Sequence, residues 1–231
     1  MGEILARPRQ PARHRLTVDD YYKMAEAGIL GRDARVELID GEIIDRFPTP
    51  ARHRLDVDAY YKMAEAGILT RDDRVELIDG EIIDLNAIGS PHAAMTNRLT
   101  QLFAQVAVER TALLSIQNPL RLDAYSEPEP DLMLLRQRSD YYEASHPAAG
   151  DVLLLVEISD SSLTYDRGKK LGLYARYGVP EVWIVDIAGA AVEIFRQPRD
   201  GAYESRERQT SGSLLPSGVP GLAIDIGALF A

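Results

Sequence analysis

The chain has 231 residues, 45% hydrophobic and 27% charged, which is typical of one globular domain with additions or of two small domains. It contains no cysteine, which excludes disulfides, thiolate zinc sites and thiol chemistry. The four histidines form no HExxH pair, so we expect no zinc site. A formal net charge of −10 disfavours high-affinity, non-specific binding to nucleic acid. It leaves open a local basic groove and metal ions that carboxylates hold.

No apolar run approaches the ~18 residues that a membrane-spanning helix needs. The first ten residues contain no apolar stretch typical of a secretory signal. We therefore expect a cytoplasmic protein that has no membrane partner.

Two copies of one segment occupy the first third of the chain. Residues 11–45 (the first copy) and residues 50–84 (the second copy) are identical at 31 of 35 positions. Solenoid repeats recur more often and drift further, so we interpret the pair as a recent tandem duplication. We divide the chain into the duplicated segment within residues 1–49 and a domain of residues 50–231. The second copy runs directly into the rest of the chain and is expected in the core. For the first copy three possibilities remain open. It forms an appendage, competes with the second copy for the same place in the fold, or swaps between protomers.

Each copy contains the signals of one helix and one hairpin. Thr17 or Asp56 can cap a helix through the sequence YYKMAEAG, which ends at Gly28 or Gly67. The sequence VELI-Asp-Gly-EIID then predicts two short strands around a two-residue turn.

The rest of the chain predicts alternating helices and strands. After Ser90 and Pro91, apolar residues at helical spacing predict a helix over about 91–109. The run VLLLVEIS (152–159) is typical of a central strand that is buried on both faces. Further predictions are strands at 112–117, 120–122, 131–136, 181–187 and 191–195, a helix at 166–177, and a loop or short helix at 137–150.

This order of elements predicts a mixed α/β fold with one central sheet. It lacks the regular βαβ alternation of a doubly wound nucleotide-binding fold. The motifs GxGxxG, GxxxxGK[ST] and GxSxG are all absent, so neither a phosphate-binding loop nor an α/β-hydrolase triad is indicated.

Two carboxylates stand at the ends of predicted strands. Asp131 opens one strand, and Glu157 lies near the end of the most apolar strand, on the same face as Ser159. If the two strands are neighbours, Asp131 and Glu157 converge. Paired carboxylates with open water positions suit Mg²⁺ or Mn²⁺, which can activate water and stabilise charge on a phosphoryl group.

A glutamate inside an apolar strand is costly to bury without a partner, so we expect a cation near Glu157. Lys170 on the following helix is the candidate, and Arg167 and Lys169 lie close to it in sequence.

Structural explanations remain open for every one of these residues. Lys170 can be a solvated helix charge, Asp131 a turn residue, and Glu157 one half of a buried ion pair. Glu76 can face outward from its hairpin, and His92 can be a structural residue in the first turn of its helix.

Four segments, in this order, resemble a bacterial family catalogued as Uma-type putative restriction endonucleases. They are VELIDGEII, SPHAAMTNRL, EPEPDLMLLR and LLLVEISDSSLTYDRGKKLGLYARYGVPEVWIVDI, and the resemblance covers residues 53–231. It implies a restriction-endonuclease-like core of the PD-(D/E)xK superfamily, in which helices flank a central mixed sheet with an acidic metal site.

The resemblance also implies roles for residues. Asp131 matches the aspartate of the PD element, and Glu157 matches the second acidic residue. Ser159 stands where the superfamily usually has its lysine. Lys170 matches a lysine that the family carries on the next helix, from which it could reach the site.

Two further residues match family motifs, and the metal site follows from the resemblance. Glu76 matches a candidate metal or water contact, and His92 a candidate substrate contact. In a nuclease, Asp131 and Glu157 would hold Mg²⁺ or Mn²⁺, together with the main-chain carbonyl of Ile158.

The first hypothesis is a metal-dependent endonuclease that hydrolyses DNA. Lys170 would orient the attacking water or stabilise the transition state, and Arg167 and Lys169 would contact the substrate. A homodimer would help to cover duplex DNA. The alternatives are an inactive nuclease-fold binding module, which Ser159 and the acidic surface favour, and a small-molecule phosphoesterase that uses the same metal site.

Overall fold

The structure is a computed structural model that describes residues 11–160 and 162–231. The first ten residues, where we expect no secretory signal, lie outside the described residues. The chain divides into a repeat unit, residues 11–87 and 122–128, and a sheet unit, residues 88–121 and 129–231. The expected division between residues 49 and 50 remains a prediction.

In the repeat unit, each copy forms a two-residue strand, a helix and a hairpin. The elements of the first copy are β1 (Ala12–Arg13), α1 (Val18–Glu26), β2 (Val36–Ile39) and β3 (Glu42–Asp45). Those of the second copy are β4 (Ala51–Arg52), α2 (Val57–Glu65), β5 (Val75–Ile78) and β6 (Glu81–Asp84). The helix and the hairpin of each copy agree with the sequence prediction.

Both helices begin at the predicted caps. The hydroxyl of Thr17 accepts a hydrogen bond from the backbone N–H of Asp20, whose carboxylate accepts one from the N–H of Thr17. Asp56 accepts from the N–H of Ala59 at 2.7 Å. These side chains satisfy N–H groups that the first helical turn leaves unpaired.

Positive φ angles form both hairpin turns. Asp40 and Gly41 have φ of 48° and 76°, and Asp79 and Gly80 have 53° and 81°. Two consecutive residues with positive φ give the turn that matches the twist of a two-residue hairpin.

The two copies form two three-stranded sheets, in the orders β1-β6-β5 and β2-β3-β4. The leading strand of each copy therefore pairs with the hairpin of the other copy. Residues 122–128 add to the second copy only: Leu77 pairs with Glu127, and the N–H of Val57 donates to the carbonyl of Ala124.

The sheet unit contains the remaining helices and strands. Those before the central strand are α3 (Ser90–Val108), β7 (Leu113–Ile116) and β8 (Leu132–Leu135). The central strand β9 (Val152–Ser159) is followed by α4 (Leu163–Tyr165), a π-helical turn (Asp166–Lys170) and α5 (Leu171–Arg176). The last are β10 (Glu181–Asp186), β11 (Ala191–Arg199), β12 (Ala202–Gln209), β13 (Ser213–Leu214), β14 (Ile224–Asp225) and α6 (Ile226–Leu229).

Six strands form one sheet in the order β12-β11-β10-β9-β8-β7. β9 and β10 run parallel, and the other neighbours are antiparallel. On β9, Val156 and Ile158 pack in a core cluster with Leu99 of α3, whereas Glu157 contacts Lys170 on the opposite face. Helices thus flank a central mixed sheet, as the sequence predicts.

Two predictions of local structure need correction, and the sequence did not predict strand β12. The predicted strand 120–122 is wrong, because β7 ends before Gln117, which has a φ of 49°, and Arg121 makes only an isolated bridge. The predicted helix 166–177 is preceded by a short helix from Leu163 and opens with a π-helical turn. Strand β12 was not predicted, since its sequence AYESRERQ is almost entirely polar.

No helix within the described ranges is both long and apolar enough to cross a lipid bilayer.

We predict that two chemically identical substitutions have different effects on stability. Val57 is 1% exposed, and its equivalent in the first copy, Val18, is 59% exposed. Val57→Ala removes two buried methyl groups and should lower the free energy of unfolding by about 2 kcal/mol. Val18→Ala, the matched control, should change it by less than about 0.5 kcal/mol. Urea denaturation followed by circular dichroism measures both, and equal effects would contradict the burial difference.

Candidate active site

The register of two neighbouring strands places Asp131 opposite Glu157. Leu132 of β8 pairs with Val156 of β9 in antiparallel register. Asp131 precedes Leu132 and Glu157 follows Val156, so the two acidic residues are opposite each other. Oδ2 of Asp131 accepts a hydrogen bond from the N–H of Ile158 at 2.8 Å. The strand end therefore holds Asp131 through the backbone of the strand that carries Glu157.

Glu157 is buried with two partners on one oxygen. Its Oε1 lies 3.1 Å from Nζ of Lys170 and accepts a hydrogen bond from the hydroxyl of Tyr174 at 2.5 Å. The side chains of Glu157 and Lys170 are only 5% and 6% exposed. Lys170 is therefore a buried partner of Glu157 and not a solvated helix charge.

One face of the helical segment after β9 supplies the side chains of the site. Asp166, Lys170 and Tyr174 are spaced by four residues, and the π-helical turn spans the first two. The carboxylate of Asp166 accepts hydrogen bonds from the hydroxyls of Ser159, at 2.5 Å, and Ser162, at 2.6 Å. A π-helical turn inside a helix often marks a functional site, because it rotates the following side chains.

His92 joins the site from the first turn of α3. Its Nε2 lies 3.1 Å from Oδ1 of Asp131, and both side chains are about 15% exposed. The two oxygens of Asp131 therefore contact an imidazole and a backbone amide.

Burial is the largest influence on the pKa values of Glu157 and Asp166. It raises the pKa of Glu157 to about 8, an effect that Lys170 opposes and that the charges of Asp131 and Asp166 reinforce. Burial also raises the pKa of Asp166, against the lowering effects of Lys170 and the two serine hydroxyls. Lys170 thus lowers the pKa of two carboxyl groups, Glu157 and Asp166, whose burial raises it.

The oxygen donors of this cluster suit a hard divalent cation. In the part of the chain that the structure describes, no three His, Asp or Glu side chains are arranged to hold a metal ion. Mg²⁺ commonly takes only one or two carboxylates and keeps several waters. Asp131 and Glu157 are the carboxylates of this cluster that could hold Mg²⁺, with water or main-chain oxygens completing its shell.

A second charged cluster lies on the neighbouring strands of the same sheet. Glu193 of β11 is fully buried and pairs with Arg167 at 2.5 Å and Arg206 at 3.1 Å. Arg208 approaches Glu193 and Asp186 at 3.9 Å and 3.8 Å. Asp186 itself is opposite Ser159 in the register of β9 and β10. The three guanidinium groups thus gather beside the acidic site.

The structure brings together four of the predicted residues: Asp131, Glu157, Lys170 and His92. Ile158 is also present, and its N–H contacts Asp131, whereas the prediction invoked its carbonyl as a metal ligand. Arg167 contacts Glu193, and Lys169 is a half-buried residue of the π-helical turn. Glu76 is fully buried in β5 of the repeat unit, so the outward-facing alternative is wrong. The catalytic and binding roles of all these residues stay predictions.

The sequence analysis missed several members of these clusters. Asp166 and Tyr174 could have been found, because they lie four residues before and after Lys170 on one helical face. Arg206 and Arg208 carried a weaker signal: they are alternate residues of a polar segment, and only pairing with β11 makes that segment a strand.

Comparisons with known proteins agree with this fold. The family model Uma2, described as putative restriction endonuclease, matches residues 57–227. No curated protein matches the chain. A solved structure that is similar in fold is a putative nuclease belonging to DUF820 from Anabaena variabilis ATCC 29413. It is 18% identical, the match covers 76% of this chain and 97% of that chain, and the TM-score is 0.59.

We predict that stability falls between about pH 5 and pH 8 through Glu157. The unfolded side chain loses its proton near the ordinary pKa of 4.5, whereas the folded one keeps its proton up to about 8. The folded state therefore binds more protons in this window, and its free energy of unfolding decreases with pH by at most about 1.4 kcal/mol per unit. Urea denaturation in chelator should show a flatter profile for Glu157→Gln than for the wild type. Glu204→Gln on exposed β12 should keep the wild-type slope, and an unchanged slope in Glu157→Gln would contradict the prediction.

Proposed function

This chain belongs to the Uma2 family of putative restriction endonucleases, and we propose that it is a metal-dependent nuclease that hydrolyses DNA phosphodiester bonds. The observation that carries the proposal is the group of Asp131, Glu157 and Lys170, of which Glu157 and Lys170 are buried. Two carboxylates with one lysine are the components that metal-assisted phosphodiester hydrolysis needs.

The main objection to nuclease activity is the absence of the usual superfamily lysine, and the position of Lys170 answers it. Ser159 occupies the place of the usual superfamily lysine, two residues after Glu157, and its hydroxyl donates to Asp166. Lys170 approaches Glu157 from the helix, with 3.1 Å between Nζ and Oε1. This contact supports a lysine that acts from a different element.

Asp131 and Glu157 would hold Mg²⁺ or Mn²⁺, which supplies a Lewis acid for the phosphoryl group and lowers the pKa of a bound water. His92 and the N–H of Ile158 orient Asp131, and Tyr174 orients Glu157. Lys170 stabilises negative charge that develops on the phosphate as water attacks in line with the leaving oxygen.

The two alternatives differ in what they predict. An inactive binding module, which Ser159 favours, would bind DNA without any metal-dependent turnover. A small-molecule phosphoesterase, which the net charge of −10 favours, would cleave a small phosphate ester and not DNA.

We expect the full chain to cleave supercoiled plasmid in the presence of Mg²⁺ or Mn²⁺. Asp131→Asn and Lys170→Met should each lower the rate by at least about 100-fold, because each removes a group that acts in the transition state. Gel electrophoresis of time courses measures the rate.

Lys23→Met on exposed α1 is the matched control and should cleave like the wild type. Equal cleavage by all variants would indicate a contaminant or a different site. Turnover of bis(p-nitrophenyl) phosphate without plasmid cleavage would favour the phosphoesterase. If neither substrate is cleaved, and calorimetry detects no Mn²⁺ binding that depends on Asp131, the nuclease proposal is wrong.

We further expect Arg206 and Arg208 to contact the phosphate backbone of DNA. Both guanidinium groups are about half exposed, although their carboxylate partners are buried, so they retain donors that face solvent. Fluorescence anisotropy with a duplex oligonucleotide and Ca²⁺ should show weaker binding for Arg206→Gln and Arg208→Gln. Each substitution removes one cation from the DNA-binding surface, so the slope of log affinity against log salt should become shallower by about 1.

Arg199→Gln is the matched control for this measurement. Arg199 lies at the opposite end of the same hairpin and is 71% exposed. Its replacement should leave the salt slope unchanged, and equal slopes in all three variants would contradict a role for the cluster in binding.

A further inference from the structure

The two copies exchange their leading strands. β1 of the first copy pairs with β6 of the second, with Ala12 opposite Asp84. β4 of the second copy pairs with β3 of the first, with Ala51 opposite Asp45. Because the copies are offset by 39 residues, these two pairings are the same contact made twice in opposite directions.

Histidine–aspartate contacts repeat the exchange. Nδ1 of His14 lies 2.6 Å from Oδ1 of Asp84, and Nδ1 of His53 lies 2.8 Å from Oδ1 of Asp45. The backbone agrees, since the N–H groups of His14 and His53 each donate at 2.8 Å to the hairpin of the other copy.

Arginine–glutamate ion pairs also join the two copies in both directions. Nε of Arg13 lies 2.9 Å from Oε1 of Glu81, and Nε of Arg52 lies 2.7 Å from Oε2 of Glu42. A cavity between the copies is lined by the same positions from both, for example Leu16 and Leu55. The repeat unit therefore has a local two-fold axis.

Such reciprocity is the signature of a symmetric dimer interface, in which residue i contacts j and j contacts i. The four positions at which the copies differ lie outside the exchanged strands and hairpins. The second copy now contacts the first copy of its own chain. It would therefore find the same contacting residues in the second copy of another chain.

Apolar residues reinforce the interface. Met24 and Ile43 of the first copy belong to one buried cluster together with Met63 and Leu77 of the second. Without the first copy, part of this cluster and the outer edge of β6 would be open. An open strand edge beside apolar surface is a site for association with another chain.

We propose that the first copy occupies, within the chain, a self-association surface of the second copy. We call this surface the exchange surface: residues 51–53 and 81–84 in the second copy, and residues 12–14 and 42–45 in the first. Its partner in the absence of the first copy is a second copy of this chain. The covalent connection between the copies keeps the exchange surface occupied and the chain monomeric through it. The proposal does not depend on nuclease activity.

A pair of engineered cysteines distinguishes the two modes of pairing in the full chain. Within one chain, Ala51 is opposite Asp45, and Asp84 is opposite Ala12. Between two chains that join through their second copies, residue 51 is opposite residue 84 of the other chain. Because the chain has no cysteine, Ala51→Cys/Asp84→Cys forms a disulfide across that junction only between chains.

His14→Pro removes the N–H that donates to the carbonyl of Ile82 and thus weakens the attachment of the first copy to the second. We expect the cysteine pair alone to remain a monomer with reduced thiols. With His14→Pro added, we expect twice the mass by multi-angle light scattering and a disulfide-linked dimer on a non-reducing gel. Arg13→Glu, which sets two glutamates opposite each other while leaving the backbone donors in place, is the second releasing variant and should give the same result.

The double variant His14→Pro/His53→Pro is the control, because it weakens the leading strands of both copies. It should stay monomeric with circular dichroism that shows folded protein. Dimers in the double variant would place association on another surface and overturn the proposal. The same holds if folded His14→Pro and Arg13→Glu variants both stay monomeric with reduced thiols.

Discussion

The central constraint on this structure is a glutamate inside its central strand β9. Glu157 lies among apolar residues of β9, and an ionised carboxylate cannot remain there without compensation. The helical segment after β9 meets this requirement by aiming Lys170 and Tyr174 at one oxygen. The π-helical turn and the helix that follow the strand thus place two donors beside the carboxylate of Glu157. The compensation is incomplete, because Asp131 and Asp166 add negative charge to the same cluster. These acidic neighbours distinguish the cluster from a buried pair of one carboxylate and one ammonium.

Two other buried glutamates in the same sheet show the contrast. Glu181 accepts hydrogen bonds from Arg196, from the indole of Trp183 and from Ser217, so both of its oxygens have donors. Glu193 has Arg167 and Arg206 as partners. Guanidinium groups, which present several donors in a plane, balance these carboxylates and make them structural. Glu157 instead has one ammonium, one phenol and two acidic neighbours. The difference in partners, and not burial alone, sets Glu157 apart from these two carboxylates.

Local patterns in the sequence predicted most of this arrangement, and non-local pairing accounts for the rest. The apolar run at residues 152–159, the Asp-Gly turns and the helix caps specify their elements over a few residues, so the sequence reveals them directly. β12 depends on β11 for its hydrogen bonds, and its polar sequence carries no sign of that partner. Residues 120–122 look like a strand, but no neighbouring strand pairs with them beyond one bridge. Asp131 and Glu157 could be brought together from the sequence only by assuming that their strands are neighbours. Tyr174 could be predicted only by asking which residues share a helical face with Lys170.

The repeat shows most clearly why sequence alone is insufficient. Val18 and Val57 occupy equivalent positions in the two copies, yet one is exposed and the other buried, because residues 122–128 exist once and pair with the second copy. The exchange of β1 and β4 is equally hidden, since identical strands match either hairpin. What selects the observed pairing is the short connection of residues 46–49, which holds the copies at a high effective concentration for each other. A copy makes the same contacts with a copy in its own chain as with a copy in another chain. The energy of these contacts therefore favours neither partner. The connection decides, and it follows that a duplication can turn a symmetric association surface into an internal one without a single new contact.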